Sequence, residues 1–310
     1  IESLGKTDGL NGADGLGIRT PDVPLGQLDP LAGVNLTWAQ SRLPMTSPEE
    51  MRGFDFAAHE TNQDCRDHLA ARLGNYGNGE GELAFNNWLA EFESVYGPSE
   101  DIKELVTEQR IAEAISEYER SQTFVNTPWK AFVEGDASAI SEAAKRGALL
   151  FYTSTEQGGA DCASCHSGDF FTDEDFHVQA VPQIGRGKGD GLTRTDDFGR
   201  FRETRQLKDL YAFRTPSLIN VTVTGPWGHD GAYASLEAMV RHSLNPAKAI
   251  AAYPWDEIDD YVADDYAEVN TRKALARLEY NRRQGLDTVE NVDLTDAEVA
   301  DLLAFLEALT

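Results

Sequence analysis

Apolar side chains recur at helical spacing in several parts of this chain, and no part shows a competing strand pattern. Between Thr107 and Ser121, the residues Ile111, Ile115 and Tyr118 share one helical face. The run Thr295-Asp296-Ala297-Glu298 is a capping box that opens a last helix. The apolar positions of that helix are Val299, Leu302, Leu303, Leu306 and Leu309. The pattern predicts a mainly α protein.

Further helices are predicted from start signals and shorter apolar patterns. Ser141 is a suitable cap for a helix that runs to Tyr152, and Ser47-Pro48-Glu49-Glu50 has the form of another helix start. Additional helices are predicted at 65–73, 82–96 and 236–244. These segments place helices in both halves of the chain.

Two segments predict irregular structure. Residues 1–36 are rich in Gly, Asp and Pro, and residues 167–232 are rich in Gly with three spaced prolines. So long a loop segment within a domain is typical of chain that wraps a cofactor. Asn126-Thr127-Pro128 interrupts the helical pattern, and we place a domain boundary near residue 130, which separates 1–130 from 131–310.

The strongly negative net charge of the chain limits the classes of molecule that it can bind. The 310 residues include 53 acidic and 27 basic side chains, for a net charge of −26. Such a surface repels nucleic acid, and the chain has no basic patch or nucleic-acid motif. It would attract a basic redox partner, or it serves only to solvate the protein in salty surroundings. No apolar run approaches the length of a membrane span.

The most informative motif is Cys162-Ala163-Ser164-Cys165-His166, which is the attachment signature of a c-type haem. Two thiols three positions apart can add to the two vinyl groups of one porphyrin, and the following His166 then ligates the iron. A redox pair needs no such histidine, and a zinc site needs a second close cysteine pair, which the chain lacks. The third cysteine, Cys65, is interpreted as a buried free thiol.

Further motifs follow in order around this signature, within residues 111–246. They are Glu119-Arg120-Ser121, Ser141-Glu142-Ala143-Ala144-Lys145-Arg146-Gly147, Ser167-Gly168, Phe171-Thr172-Asp173, Phe176-His177, Phe198-Gly199-Arg200-Phe201, Phe213-Arg214-Thr215-Pro216-Ser217-Leu218, Asn220-Val221, Thr224-Gly225-Pro226-Trp227-Gly228-His229-Asp230-Gly231 and Ser235-Leu236-Glu237. In this order and spacing they resemble the C-terminal haem domain of the bacterial di-haem cytochrome c peroxidase and MauG family. The resemblance implies a cytochrome c-like haem domain with long wrapping loops over 131–310.

The N-terminal third resembles the same family more loosely. Leu36-Thr37-Trp38 and the run from Leu43 to Met51 look like the stretch after the first haem of the family, and Trp38 matches its tryptophan between the two haems. The first C-x-x-C-H motif does not occur, so 1–130 resembles a partial N-terminal domain without its haem motif. A second haem would lie upstream of Ile1 or on another chain, or was never part of this protein.

The resemblance also implies roles for individual residues around the haem. His166 is the proximal ligand, and Ser243 occupies the position of the distal Met or Tyr, although a hydroxyl is a poor iron ligand. Met239 and His242 are alternative distal ligands, and an open sixth position is a third alternative. His229 is a candidate acid–base group beside the haem, where a structural hydrogen bond is the simpler interpretation.

Three further residues match positions of the family. The backbone carbonyls of Thr224 and Pro226 match ligands of a calcium ion, and carbonyl oxygen is a suitable ligand for calcium. Trp38 could relay an electron or pack as an ordinary aromatic side chain.

The resemblance implies a haem c oxidoreductase that reduces hydrogen peroxide, or uses it to oxidise a partner, while this haem relays electrons. The alternative is an electron-transfer subunit without enzymatic activity, which works with a haem on another chain. Expected partners are a small redox protein (a cytochrome c or a cupredoxin), a protein substrate, or a second copy of the chain. Haem c attachment outside the cytoplasmic membrane predicts a periplasmic location, with a signal removed before Ile1.

Overall fold

Helices make up most of the regular structure in the computed structural model of the chain. The structure describes residues 2–3, 17–24, 26–48, 50–53, 61–258, 265–286 and 290–310. The chain divides into two compact units, Ile1–Thr123 and Phe124–Thr310. The predicted boundary near residue 130 lies in the second unit. Among the described residues, no helix is long and apolar enough to cross a membrane.

The described residues of the first unit form two short antiparallel strands and five α-helices. They are β1 (Glu2–Ser3), β2 (Ile18–Arg19), α1 (Leu36–Ser41), α2 (Asn62–Gly74), α3 (Trp88–Tyr96), α4 (Ile102–Leu105) and α5 (Glu108–Ser121). Helix α2 begins with a reciprocal capping box between Thr61 and Asp64 and ends at Asn75, which adopts a left-handed conformation. Met45, Phe92 and Leu105 belong to the apolar core of the first unit.

A buried charge network lies beside that core. The guanidinium of Arg42 contacts Asp29 at 3.0 Å and Glu108 at 3.4 Å, and Arg66 contacts Asp22 at 2.7 Å. Both arginine side chains are only 1% exposed. A buried guanidinium is tolerated only when it is paired, so removing one partner from this network would be costly.

In the second unit, the described residues form seven α-helices and one two-stranded antiparallel sheet. They are α6 (Pro128–Val133), α7 (Glu142–Tyr152), β3 (Phe176–Val178), α8 (Phe201–Thr204), β4 (Ala212–Arg214), α9 (Leu236–Leu244), α10 (Pro246–Ala251), α11 (Ala267–Arg283) and α12 (Asp296–Glu307). Its main core includes Phe151 of α7, Phe171 of the following loop and Phe305 of α12. The core therefore lies directly behind the haem-attachment motif.

Helices α7 and α12 pack unusually closely. A Cβ added to Gly147 would collide with the backbone carbonyl of Asp301 and would lie 2.9 Å from the Cβ of Phe305. Arg146, one residue earlier, forms a two-pronged ion pair with Asp301 at 2.7 and 2.6 Å. Because Gly147 has no side chain, the two helices can approach this closely. The ion pair between Arg146 and Asp301 stabilises the contact at its edge.

The sequence pattern predicts some elements correctly and misses others. The helices predicted at 65–73, 107–121, 141–152, 236–244 and after Thr295 are confirmed. A helix from Ser47 is wrong over its described residues, which form turns, and α3 begins at Trp88 rather than at residue 82. Among the described residues, the pattern also misses six helices and two strand pairs, namely α1, α4, α6, α8, α10, α11, β1 with β2, and β3 with β4.

Candidate haem site

The attachment motif forms one tight turn after α7. Cys162–Ser164 is a short 3-10 helix, and the carbonyl of Cys162 accepts hydrogen bonds from the backbone N–H groups of Cys165 at 3.3 Å and His166 at 2.9 Å. Residues three and four positions apart share one side of such a turn, so the two thiols and the imidazole can all bind the same porphyrin. Asp161, in a left-handed conformation, leads the chain into this turn.

The imidazole of His166 is held in one tautomer. Its Nδ1 lies 2.9 Å from the carbonyl oxygen of Phe171, and since a carbonyl only accepts, Nδ1 carries the hydrogen. Nε2 is then the nitrogen with a lone pair for iron, as in other ligating histidines whose second nitrogen donates to a carbonyl. Burial lowers the pKa of His166, which favours the neutral form that a metal requires.

The position of the Phe171 carbonyl is itself fixed by packing. Phe171 has a φ of 52°, which is rare for a residue with a side chain, and its ring is buried against Phe151 and Phe305 at centroid distances of 6.0 and 6.2 Å. The aromatic contacts hold the backbone in a conformation that it would otherwise leave. The helix pair α7 and α12 thus orients the proximal imidazole through Phe171.

The surroundings of Cys162 disfavour a redox-active cysteine pair. Cys162 packs against the main core of the second unit, and burial raises the pKa of its thiol to about 12. A thiol that stays protonated is poorly suited to redox exchange, which needs the thiolate.

Cys165, Asp173 and His177 are the one group of three potential metal ligands found close together among the described residues. His177 Nε2 lies 2.9 Å from Asp173 Oδ2. While Cys165 is a free thiol, hydrogen bonding to Cys165, and next to Asp173, raises the pKa of His177 to about 9 against the effect of burial. A thioether at Cys165 would withdraw the sulfur ligand, so we interpret this group as part of the haem surroundings and not as a separate metal site.

The distal candidates lie on α9, and their contacts differ. Ser243 donates its hydroxyl hydrogen to the carbonyl of Met239 at 3.1 Å, which occupies the group within its own helix. Met239 packs beside an apolar cluster that includes Val181 and Tyr233.

His242 is fully buried, and both of its ring nitrogens are engaged. Nε2 lies 2.8 Å from the carbonyl of Gln179, and Nδ1 lies 2.8 Å from the hydroxyl of Tyr233. This arrangement leaves no imidazole nitrogen for iron, so it disfavours His242 as the distal ligand.

Burial lowers the pKa of His242 to about 4, below the ordinary value of 6.5, which predicts an acid-sensitive fold. An unfolded chain takes up this proton below pH 6.5 while the native state stays neutral, so stability falls as the pH drops from 6.5 to about 4. A shift of this size corresponds to about 3 kcal/mol, and below pH 4 both states are protonated. Denaturant unfolding of wild type and His242→Gln across this range measures the effect.

Glutamine at residue 242 can donate to Gln179 and accept from Tyr233, but it does not titrate. The difference between wild type and His242→Gln therefore isolates the histidine from the many carboxylates that titrate in the same range. A difference in unfolding free energy that stays constant from pH 7 to pH 4 would contradict the prediction.

His229 has the clearest unsatisfied polar atom in this region. Its ring stacks on Phe213 at 3.7 Å, and its Nε2 lies 3.3 Å from the amide nitrogen of Gln183, which can only donate. Nδ1 therefore carries the hydrogen, and it is buried without a hydrogen-bond partner among the described residues. Burial lowers the pKa of His229 and raises that of the adjacent Asp230. A buried donor of this kind fits a haem, whose propionates and bound ligands are acceptors.

The other predicted site residues are placed as follows. Thr224 and Pro226 are exposed on the loop before His229, and the described residues place no cluster of three acidic, His or Cys ligands there. Trp38 lies on α1 of the first unit, with its ring against Gly33, and its Nε1 is buried without a partner among the described residues. The packing against Gly33 is consistent with either role that the sequence leaves open for Trp38.

Sequence reasoning misses two residues that shape this site. The backbone carbonyl of Phe171, five residues further along the chain, holds the proximal histidine. Tyr233 holds the buried histidine of α9. Neither contact has a spacing rule by which sequence alone could recognise it.

Comparison with known proteins finds relatives in the family that the sequence motifs resemble. The family model for di-haem cytochrome c peroxidase matches residues 29–138, in the part of the chain where the sequence motifs resemble that family only loosely. The methylamine utilization protein MauG of Methylorubrum extorquens is 31% identical over 291 residues, which cover 88% of this chain and 70% of that protein. MauG of Methylophilus methylotrophus is 26% identical, and the match covers 66% of this chain but only 48% of that protein.

Solved structures show the same fold. A MauG-like protein associated with microbial copper homeostasis aligns with a TM-score of 0.55 at 22% identity, over 89% of this chain and 69% of that one. The diheme peroxidase BthA of Burkholderia thailandensis aligns with a TM-score of 0.52 at 20% identity, over 92% and 66%. The attachment turn, the helical fold and the MauG relatives together show that this chain belongs to the di-haem cytochrome c peroxidase and MauG family.

Proposed function

We propose that the chain reduces hydrogen peroxide, or uses it to oxidise a partner, with a haem c on Cys162, Cys165 and His166 relaying electrons to a second haem. The observation that carries the proposal is the attachment turn, in which the Phe171 carbonyl leaves Nε2 of His166 for iron. The names of the relatives, MauG and cytochrome c peroxidase, support peroxide as the oxidant.

Bound haem would supply one-electron redox chemistry at its iron. The chain's own residues would hold and insulate it: the two cysteines tether the porphyrin, and His166 fixes the proximal side. His229 would donate its Nδ1 hydrogen to an acceptor on the haem. Trp38 would carry an electron between haems, a role supported by its family position alone.

The number of haems in the intact native protein tests this function. Iron analysis, haem spectra and the reaction with hydrogen peroxide should show two haems per protein, one of them five-coordinate, and a rapid spectral change with peroxide. A single six-coordinate haem that peroxide leaves unchanged would instead support the alternative, an electron-transfer subunit without enzymatic activity.

The sixth position of this haem would be open or weakly ligated, because Ser243 is occupied within α9 and His242 has no free nitrogen. The ferric haem should then be largely high-spin and bind cyanide quickly. A sulfur-to-iron absorption band that disappears in Met239→Ala would identify Met239 as the ligand instead.

A calcium ion on the carbonyls of Thr224 and Pro226 is part of the proposal, supported by family position and by the chemistry of carbonyl ligands. Chelation should change the haem spectrum and lower activity, since this loop leads to α9. An unchanged spectrum after chelation, with calcium absent by elemental analysis, would contradict the site.

The net charge of −26 predicts a basic electron donor, such as a small cytochrome c or cupredoxin, and a strong dependence on salt. Turnover with a basic cytochrome should fall steeply from low to high ionic strength, because the Debye length shrinks from about 30 Å at 0.01 M to about 10 Å at 0.1 M. Stopped-flow kinetics with a neutral small-molecule donor provide the control, which should show a nearly flat profile. A flat profile with the basic cytochrome would mean that the acidic surface only solvates the protein.

The proposed location is the periplasm, where haem c is attached in bacteria. A protein substrate and a second copy of the chain remain the proposed larger partners.

A further inference from the structure

Tyr233 and His242 form a buried hydrogen-bonded pair that the proposed function does not use. Tyr233 is 6% exposed and His242 is fully buried. The Gln179 carbonyl can only accept, so His242 Nε2 carries the hydrogen and Nδ1 accepts from the hydroxyl of Tyr233 at 2.8 Å. The phenolic hydrogen thus points directly at an unprotonated base.

We propose that Tyr233 is a redox-active residue, which gives one electron to the peroxide-oxidised haem and its phenolic proton to Nδ1 of His242. The inference rests on the proposed function for its oxidant. In this step the O–H bond of Tyr233 breaks and an N–H bond forms on His242. Tyr233 becomes a neutral radical, His242 becomes an imidazolium, and the haem is reduced by one electron.

The hydrogen bond to His242 makes Tyr233 suitable as a redox-active residue. Oxidising a phenol makes its hydroxyl strongly acidic, so the electron leaves easily only when a base can take the proton at the same time. A buried charge is costly unless it is hydrogen-bonded, and the Gln179 carbonyl already accepts from the far side of the resulting imidazolium. Burial raises the pKa of Tyr233, so the hydrogen stays on the phenol until the ring is oxidised.

Two other tyrosines of the second unit, the partly buried Tyr253 and the buried Tyr211, lack this combination. The hydroxyl of Tyr253 donates to the backbone carbonyl of Ala232 at 2.7 Å, and a carbonyl is too weak a base to keep the proton. Tyr211 donates to the Asp196 carboxylate at 3.1 Å, but its ring contacts Phe198, which is far harder to oxidise than Tyr or Trp.

Aromatic contacts also connect Tyr233 to the surface. Its ring centroid lies 5.5 Å from that of Tyr253, which lies 4.6 Å from Trp255. Trp255 is partly exposed. These contacts place an oxidisable tryptophan at a partly exposed position, two ring contacts from Tyr233.

The position on α9 supports a link to the haem. His242 directly precedes Ser243, the residue that matches the family's distal ligand. Tyr233 lies three residues before the first residue of α9.

Radical trapping on the haem-loaded protein tests the inference. One arm mixes the protein with stoichiometric hydrogen peroxide and follows the haem absorbance and the freeze-quenched electron paramagnetic resonance spectrum together. A second arm oxidises the protein with a photogenerated ruthenium(III) complex and no peroxide. Ring-deuterated tyrosine identifies a tyrosyl signal by its narrowed hyperfine structure.

We expect a tyrosyl signal that disappears in Tyr233→Phe and persists in the matched controls Tyr211→Phe and Tyr253→Phe. In wild type, the radical should couple to one exchangeable proton, now on Nδ1 of His242. In His242→Gln, which keeps a hydrogen-bond acceptor but no base, the yield should fall several-fold. A purely structural hydrogen bond would produce none of these signals.

The two arms separate the inference from the function on which it rests. If peroxide leaves the haem spectrum unchanged while photo-oxidation yields the Tyr233 radical, the proposed function fails and the redox pair stands. If neither arm gives a tyrosyl signal, or if the signal survives Tyr233→Phe, the inference is overturned.

Discussion

Replacing Cys162 and Cys165 together by Ala is expected to remove all covalently bound haem from this chain. The two side chains lie on one turn, with no third thiol among the described residues of the second unit. Without thioether bonds, the haem would be held only by His166 and by contacts that can dissociate. Acid–acetone extraction followed by the mass of the intact chain measures the loss.

Cys65→Ala is the matched control, because it removes a thiol from the first unit while the attachment turn stays intact. Each single variant, Cys162→Ala or Cys165→Ala, should retain one thioether and a haem that resists extraction. Haem that remains on the double variant after extraction would show that the attachment assignment is wrong.

Gly147→Ala is expected to destabilise the second unit by about 3 kcal/mol, the upper part of the usual range for overpacking a tight contact. Alanine favours a helix by about 1 kcal/mol over glycine, so an exposed substitution would stabilise instead. Here the added Cβ meets the Asp301 carbonyl, and a backbone atom of a packed helix cannot rotate away. Denaturant unfolding, followed by the haem absorbance, measures the change.

Leu149→Ala on the same helix is the control, since Leu149 is 69% exposed and should change stability by no more than about 0.5 kcal/mol. Gly147→Ala should also loosen the haem site, because α12 carries Phe305 against Phe171. An unfolding midpoint equal to or above that of wild type would contradict the close approach of α7 and α12.

The sequence predicts those features that depend on neighbours along the chain. The caps at Ser141 and Thr295 and the spacing of Cys162, Cys165 and His166 each follow from local rules, and the structure contains the predicted helices and turn. Helix periodicity also predicts α5, in which Ile111 is buried as expected while Tyr118 is 67% exposed.

Helix α11 shows why periodicity can fail. Its buried positions recur at helical spacing, but the residues there are small or polar: Ala267, Asn270, Thr271, Ala274, Leu278 and Asn281. Because Leu278 is the one large apolar residue among these buried positions, a search for large apolar residues at helical spacing misses this helix. The polar members instead bind the long loop, as when Thr271 accepts from the backbone of Gln183 and Asn281 donates to Lys208.

The distal side depends on contacts that no spacing rule covers. His242 and Gln179 are 63 residues apart, so sequence offers His242 as an iron ligand while the fold engages both of its nitrogens. The orientation of His229 depends in the same way on Phe213 and Gln183, which come from other segments. The sequence indicates which side chains lie at this site, and the fold determines which of their atoms are free to bind iron or to form hydrogen bonds.

Cys65 gives the first unit a built-in reporter once haem is attached. Its thiol is 3% exposed and donates to the Met45 carbonyl at 3.3 Å, while the other two cysteines of the chain would be blocked as thioethers. A thiol-reactive dye could then label the protein only when the segment around α2 opens. The labelling rate in native buffer would report the opening free energy of that segment alone, separate from the unfolding of the haem-bearing unit.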